Sequence, residues 1–259
     1  VHKQNFDRIV EVIDTLTGPD GCPWDKEQTP RSMCDYLVEE CFELVEAIRQ
    51  DDTAEIAEEL GDVLFLLLFI GRCMDRDNPD FLQSAMAANV AKMIRRHPHV
   101  YGEKAADVSE VISNWEKIKK QEKAEKEKDP GVFASLPASL PPLLRAYRIN
   151  SKAARAGFTW PTDADQEAKL AEEWKEFQEA QTGGDADARE EEFGDYLFAL
   201  VEYGRRRGIK ANSALAVANA KFLRRFEAME AMARERGLEL DSLSLTEMDK
   251  LWDEIKAGR

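Results

Sequence analysis

Histidine and cysteine, the usual ligands of a structural zinc, are scarce in this sequence. Among 259 residues there are three histidines, His2, His97 and His99, and four cysteines, Cys22, Cys34, Cys41 and Cys73, with no C-x-x-C pair. This argues against a zinc module or a disulfide scaffold, and free thiols suit a reducing cytoplasm. Long apolar runs are also missing. The longest, Val63 to Ile70, has eight residues, against the roughly 20 needed to span a bilayer. The start, VHKQNFDRIVEVID, is amphipathic and acidic with no apolar leader core. The expectation is a cytoplasmic chain with no membrane partner. With 14 Gly and 10 Pro the chain is poor in turn formers for an all-β protein. Basic charge is in deficit: 36 Lys plus Arg against 51 Asp plus Glu give a net charge of −15. A nucleic-acid polymer is therefore not the expected partner, because phosphate backbones are bound by surplus positive charge.

What is present is helical pattern. From Cys34 to Ile48 the residues Leu37, Val38, Cys41, Leu44, Val45 and Ile48 recur at three- and four-residue spacing, one stripe of a helix. Ile56 to Ile70 reads as a second helix, apolar nearly all round after Asp62, which belongs in the middle of a bundle. Helical pattern resumes over Phe81–Arg96 and Ser109–Glu127, and no window alternates with period two. The expected fold class is all-α. Lys119 to Pro142 begins as a charged helix end and becomes Pro-punctuated, with four prolines from Pro130 to Pro142. Proline does not sit in helix interiors, so this segment reads as a linker between residues 1–118 and 143–259.

The two halves repeat each other. Residues 37–72 and 170–205 align without a gap, matching Glu39, Glu40, Glu43, Glu58, Glu59, Gly61, Asp62, Gly71 and Arg72 with Glu172, Glu173, Glu176, Glu191, Glu192, Gly194, Asp195, Gly204 and Arg205. PWDKEQT (Pro23–Thr29) parallels FTWPTDADQ (Phe158–Gln166), and Asn89, Lys92 and Arg96 parallel Asn219, Lys221 and Arg225. A tryptophan follows in each half, Trp115 and Trp252. Two copies of one helical module explain this most simply.

In each copy an E-x-x-E is followed by an E-x-x-D, and residues three apart project from one side of a helix. Around a helix centred on Cys41, Glu40 and Glu43 lie about 100° and 160° away; Glu59 and Asp62 stand at the same angles from Leu60. If the two helices pair antiparallel, Glu40, Glu43, Glu59 and Asp62 converge, as do Glu173, Glu176, Glu192 and Asp195. Four carboxylates together repel unless a cation neutralises them. An all-oxygen set suits Mg²⁺, or Mn²⁺, completed by phosphate oxygens. A single E-x-x-E reads most simply as a solvated acidic face; its repetition beside a helix that must be buried favours the metal. A di-iron site usually needs Glu-x-x-His, and neither copy contains a histidine.

With the strings CPWDKEQT, EELGDVLF and RRHPHVYG, these motifs resemble the MazG family of the all-α NTP pyrophosphatase superfamily, over essentially the whole chain as two tandem domains. The resemblance implies hydrolysis of NTP or dNTP to NMP and diphosphate, Mg²⁺ dependence, broad base tolerance, and a homodimer that completes the helical bundle. By resemblance the principal metal ligands are Glu173, Glu176, Glu192 and Asp195 of the C-terminal copy, with Glu40, Glu43, Glu59 and Asp62 as a second set. Lys221 and Arg225 match a basic pair for the triphosphate, with Lys92 and Arg96 their N-terminal counterparts, and Trp252 matches a tryptophan near the base. Lys119 and Lys169 correspond to further phosphate-contacting lysines. Where the family can have a lysine four residues before the third ligand, this chain has Ala188 and then Arg189.

Physically, a triphosphate reaches four carboxylates only with a divalent ion between them, and Lys221 and Arg225, four apart on one helical face, neutralise the remaining charge. Glu172 or Glu191, next to the ligands, either orients and deprotonates the attacking water or is a surface charge. Trp252 either stacks on a base or packs in the core. His97 and His99 read as turn residues or supports for a site, and the Trp24 and Trp160 loops as pocket closures or bundle caps. The C-terminal copy is expected to be the working one. The competing function is a non-catalytic module that senses Mg²⁺–nucleotide.

Overall fold

The structure is a computed structural model that describes residues 2–102, 107, 110, 111, 114, 115, 118, 122 and 131–258. The described residues are helical with no strand, so the chain is all-α. It divides into two compact units, 1–126 and 127–259.

The first unit contains α1 (His2–Thr17), α2 (Pro23–Glu27), α3 (Cys34–Gln50), α4 (Thr53–Asp75), α5 (Phe81–Arg96) and α6 (Pro98–Tyr101). Helices α3 and α4 form a tight hairpin whose corner is two aspartates. Asp51 adopts a left-handed φ of 56°, and Asp52 caps α4, its carboxylate accepting from the N–H groups of Ala54 and Glu55 at 3.0 and 3.2 Å. Such a cap satisfies donors that the first turn leaves open. The apolar wall of α4 is the core: Leu66, Leu68, Phe69 and Cys73 are buried with Ile13 of α1 and Met33. Arg72 reaches from α4 to Asp14 of α1 at 2.6 Å and to Asp75 at 2.7 Å.

The second unit contains α7 (Pro142–Arg155), α8 (Asp163–Thr182), α9 (Ala186–Arg206), α10 (Ala211–Glu235) and α11 (Leu245–Ala257). Pro142 occupies the first turn of α7, where its missing N–H has no intrahelical partner to lose. Thr162 with Asp165, and Ser244 with Glu247, form capping boxes that start α8 and α11. The α8–α9 hairpin repeats the α3–α4 corner. Gly184, at the position of Asp51, has a φ of 78°, and Asp185, at the position of Asp52, caps α9 through the N–H groups of Asp187 and Ala188. The repeat thus extends to the chemistry of the turn. Val201 is buried on α9, and Met229, Ala233 and Leu251 lock α10 to α11.

Three expectations change in the structure. The α3 stripe is not buried along its length: Val38, Cys41, Val45 and Ile48 are exposed, while Leu37 and Leu44 are half-buried, Leu37 against the core. Pro23–Glu27 is a short helix, whereas its sequence parallel Phe158–Pro161 is an irregular loop, so the kinship of those strings is not one of local structure. Within the segment read as a linker, Gly131–Pro141 is irregular, and Val132 and Phe133 line a cavity of the second unit. Most of Ser109–Glu127 lies outside the described residues.

The paired glycines Gly71 and Gly204 are both buried but have different surroundings. A Cβ on Gly71 would meet Leu82 of α5 at 2.6 Å; on Gly204 its nearest neighbour is at an ordinary 3.6 Å. Overpacking costs about 1–3 kcal/mol, and replacing a helical Gly by Ala gains about 1 kcal/mol. Gly204→Ala is therefore expected to melt at or above the wild-type temperature and Gly71→Ala below it, as thermal denaturation followed by circular dichroism will show.

Candidate active site

The two hairpins bring acidic side chains together as their spacing predicts, with one carboxylate outlying in each. In the first unit Glu40, Glu43 and Glu59 offer oxygens that all lie within 4.8 Å of one another; in the second, Glu173, Glu192 and Asp195 do so. Asp62 and Glu176 stand outside those tight groups but close enough to press electrostatically on Glu59 and Glu192.

The first group has the more strained electrostatics. Glu59 is buried, and burial, a hydrogen bond to Glu40 and the charges of Glu43, Glu40 and Asp62 push its pKa up to about 7. Burial also raises Glu40, against the opposing effect of the Glu59 hydrogen bond. The second oxygen of Glu59, Oε2, is buried without a hydrogen-bond partner. In the second group burial raises Glu192, assisted by Glu176, Asp195 and Glu173. Lys169, one turn before the acidic motif, places its Nζ 2.9 Å from Glu173 and 3.0 Å from Glu172. Those two hydrogen bonds raise its own pKa. In the ungapped register position 169 corresponds to Tyr36, so the first group has no lysine at that position.

The cations differ as well. Arg96 and Arg95 both grip Glu122, through Nε at 2.9 and 2.7 Å, and hold its carboxyl down at about 2. The Arg96 guanidinium also lies 5.3 Å from the Trp115 ring centre. Lys92 is half-buried on α5. Lys221 and Arg225 on α10 make no ion pair with any described residue. Arg189 is exposed, its Nε donating to the Asp185 carbonyl at 3.2 Å.

A cavity of about 770 Å³ opens beside the second group, lined by Glu173, Asp195 and Lys169 at one part and by Phe133, Phe158, Trp160 and Phe198 elsewhere. Among the residues expected at a nucleotide site, Lys221, Arg225, Arg189 and Trp252 do not line it. Trp252 packs against the Met229–Ala233–Leu251 cluster, its ring 5.2 Å from Phe222, which is a core position. Glu172 and Glu191 are exposed, each next in the chain to a residue of the acidic group. Lys119 lies outside the described residues. His97 donates through Nδ1 to the Met93 carbonyl at 2.6 Å and closes α5, so it acts in the turn; the His99 ring lies 5.6 Å from its own. Trp24 packs edge-on to Tyr36 at 5.9 Å, whereas Trp160 is a cavity wall. Gln166, Asn150 and Phe133 were not singled out from the sequence. An isolated amide or aromatic has no spacing signature, and only the packing of α7 and α9 puts these side chains in one cavity.

Across 255 residues the chain is 38% identical to the nucleoside triphosphate pyrophosphohydrolase of Escherichia coli strain K12, an alignment covering 97% of each chain. The chain belongs to the MazG family. The sequence model of the MazG nucleotide pyrophosphohydrolase domain matches residues 28–101, which hold the first acidic hairpin. A Thermotoga maritima relative named nucleoside triphosphate pyrophosphohydrolase/pyrophosphatase MazG is 36% identical over 253 residues, 98% of this chain and 96% of that one. The crystal structure of a mazG-related protein from the same organism is similar to 44% of this chain and covers 98% of its own, at 30% identity and a TM-score of 0.40. Among the described residues, no helix of this MazG-family chain is long and apolar enough to cross a membrane.

Proposed function

We propose that the chain hydrolyses nucleoside triphosphates to NMP and diphosphate with Mg²⁺, at the second unit. The observation that carries this is the Glu173–Glu192–Asp195 group, with Glu173 buried in it, beside a cavity that Glu173 and Asp195 line, and with Lys169 held against Glu173. A hard divalent cation fits both acidic groups: burial and neighbouring carboxylates raise Glu59 and Glu40 in the first and Glu192 in the second, and in the first group a buried oxygen lacks a partner. Glu173, Glu176, Glu192 and Asp195 would hold it, and Glu40, Glu43, Glu59 and Asp62 would form the second set. Bound there, the ion supplies Lewis acidity and charge neutralisation at the phosphate oxygens.

The chain's own groups do the rest. Lys169 exchanges its carboxylate partners for phosphate when substrate enters. Lys221 and Arg225, free of ion pairs among the described residues, neutralise the departing diphosphate. Glu172 or Glu191 accepts the proton of the attacking water. In the first unit the cation corresponding to Arg225 is already neutralised by Glu122, which favours a binding or structural role for that copy. The exposed Val38, Phe42 and Val45 of α3, with Phe222 and Leu223 of α10, support a homodimer that covers them, checked by light scattering.

The direct test incubates each NTP and dNTP with the protein and Mg²⁺ and measures NMP and diphosphate. Nucleotide binding without product would replace the enzyme with a Mg²⁺–nucleotide sensor.

The raised pKa of Glu59 gives a second test. A carboxyl whose folded value is raised favours the fold while protonated, fully below its ordinary value near 4.5, and that contribution disappears as pH climbs through about 7. Metal-free protein is therefore expected to lose thermal stability between pH 5 and 8. Glu59→Gln flattens that fall, and Mg²⁺ raises the wild-type melting temperature more at pH 8 than at pH 5. Equal Mg²⁺ effects at both pH values would count against metal binding at this group.

A further inference from the structure

One wall of the second unit's cavity is the irregular stretch Phe158–Pro161, between α7 and α8. Apolar burial does not hold that stretch in place, since Phe158 is 84% exposed and Trp160 38% exposed. Its ends are fixed by the chain on either side: the Phe158 N–H donates to the Ala153 carbonyl of α7 at 2.9 Å, and Thr162 caps α8. Its middle is held by an arginine from another helix. Arg206, the last residue of α9, donates through Nη1 to the Trp160 carbonyl at 3.0 Å and to Thr159 Oγ1 at 3.2 Å, while its Nε bonds Asp163 Oδ1 at 2.7 Å. The Arg206 side chain is only 15% exposed, and hydrogen bonds from a charged donor shielded from water are the stronger kind. Arg206 itself does not line the cavity.

The first unit ties down the corresponding stretch from the same place in the repeat. Cys73 follows Arg72 as Arg206 follows Arg205, and its thiol donates to the Gln28 carbonyl, at the end of PWDKEQ, at 3.8 Å. A thiol is a weak donor, and there Arg76 adds a bond to the same carbonyl at 3.3 Å. The second unit has Ile209 at the position of Arg76. In it a single guanidinium, whose planar fork presents several N–H groups at once, makes the bonds from α9 to the stretch.

We propose that Arg206 is a positioning residue: by pinning Thr159 and Trp160 it keeps the cavity wall beside Glu173 and Asp195 in the shape that admits substrate, without touching substrate itself. This rests on the pyrophosphohydrolase reading of that acidic group. A wall fixed in advance spends no binding free energy on ordering the loop. Loosening it weakens the hold on substrate and transition state alike, which raises KM and leaves kcat.

The test measures kcat and KM for ATP with Mg²⁺ on the full chain. Arg206→Gln should raise KM at least about tenfold with kcat near the wild-type value, and Arg206→Lys, which keeps the charge but not the fork, should fall between. Arg207→Gln is the control. Arg207 also joins the end of α9 to α8, through Glu167, and stacks on Tyr203, but its bonds go to Glu167 and the Tyr203 carbonyl and not to the loop; its loss should leave KM unchanged. Hydrogen exchange supplies a readout that needs no turnover: the Thr159 and Trp160 amides should exchange faster in the Arg206 variants while those of α8 do not. An unchanged KM in the folded Arg206 variants, a loss confined to kcat, an equal rise in KM in Arg207→Gln, or unchanged exchange in the loop would overturn the positioning role. A wild type that cleaves no ATP would overturn the pyrophosphohydrolase reading and this role with it, and the exchange data would then show whether the tether itself stands.

Discussion

Glu192→Ala is expected to lose at least about a hundredfold in kcat/KM for a nucleoside triphosphate, whereas its counterpart Glu59→Ala stays near the wild-type rate. Glu192 is half-buried, and its oxygens share a 4.8 Å cluster with Glu173 and Asp195. Removing it takes away a charge that no neighbouring carboxylate can replace, because Glu173 already answers to Lys169. The two variants sit at the same place in the repeated hairpin. What separates them is the surroundings: a neighbouring ammonium, an adjoining cavity and, among the described residues, cations without an ion pair in the second unit, against an arginine locked to Glu122 in the first. Glu176→Ala and Glu43→Ala should divide the same way. Steady-state assays at saturating Mg²⁺ decide it, and the reverse pattern would move the working site to the first unit.

Phe69→Ala is expected to destabilise the first unit by about 3–5 kcal/mol. Phe69 is fully buried, flanked by Leu66, Leu68 and Cys73 on its own helix and by Ile13 of α1, with Phe65 5.9 Å away. Domain stabilities are only about 5–15 kcal/mol, so a deletion of this size leaves the unit marginal. It would also release α4, which carries Glu59 and Asp62. Urea denaturation followed by far-UV circular dichroism should show a markedly lower midpoint; a shift under about 1 kcal/mol would mean that α1 is not held on α4 as described.

Much of this architecture was legible before any coordinates. The apolar wall of Val63–Ile70 has nowhere to go but a core, and Leu66, Leu68 and Phe69 are there. The i,i+3 carboxylates converge because a hairpin of two helices offers few ways to bury the adjacent stripes. The corner was not singled out, although Asp52 and Asp185 align there and cap α4 and α9 alike. The α3 stripe misled, because periodicity reports which face is apolar and not what covers it. Val38, Val45 and Ile48 therefore read as core but are exposed.

The sequence alone determined the all-α class, the duplication and the two acidic groups, because helix period and repeat spacing are local quantities carried along the chain. Tertiary structure alone decided how the copies differ. Whether Arg96 is free or bound to Glu122, and whether Trp160 caps the bundle or lines a cavity, depend on side chains brought together from separate parts of the chain. Electrostatic neutralisation and desolvation act over a few ångströms in space, and sequence separation does not measure that distance.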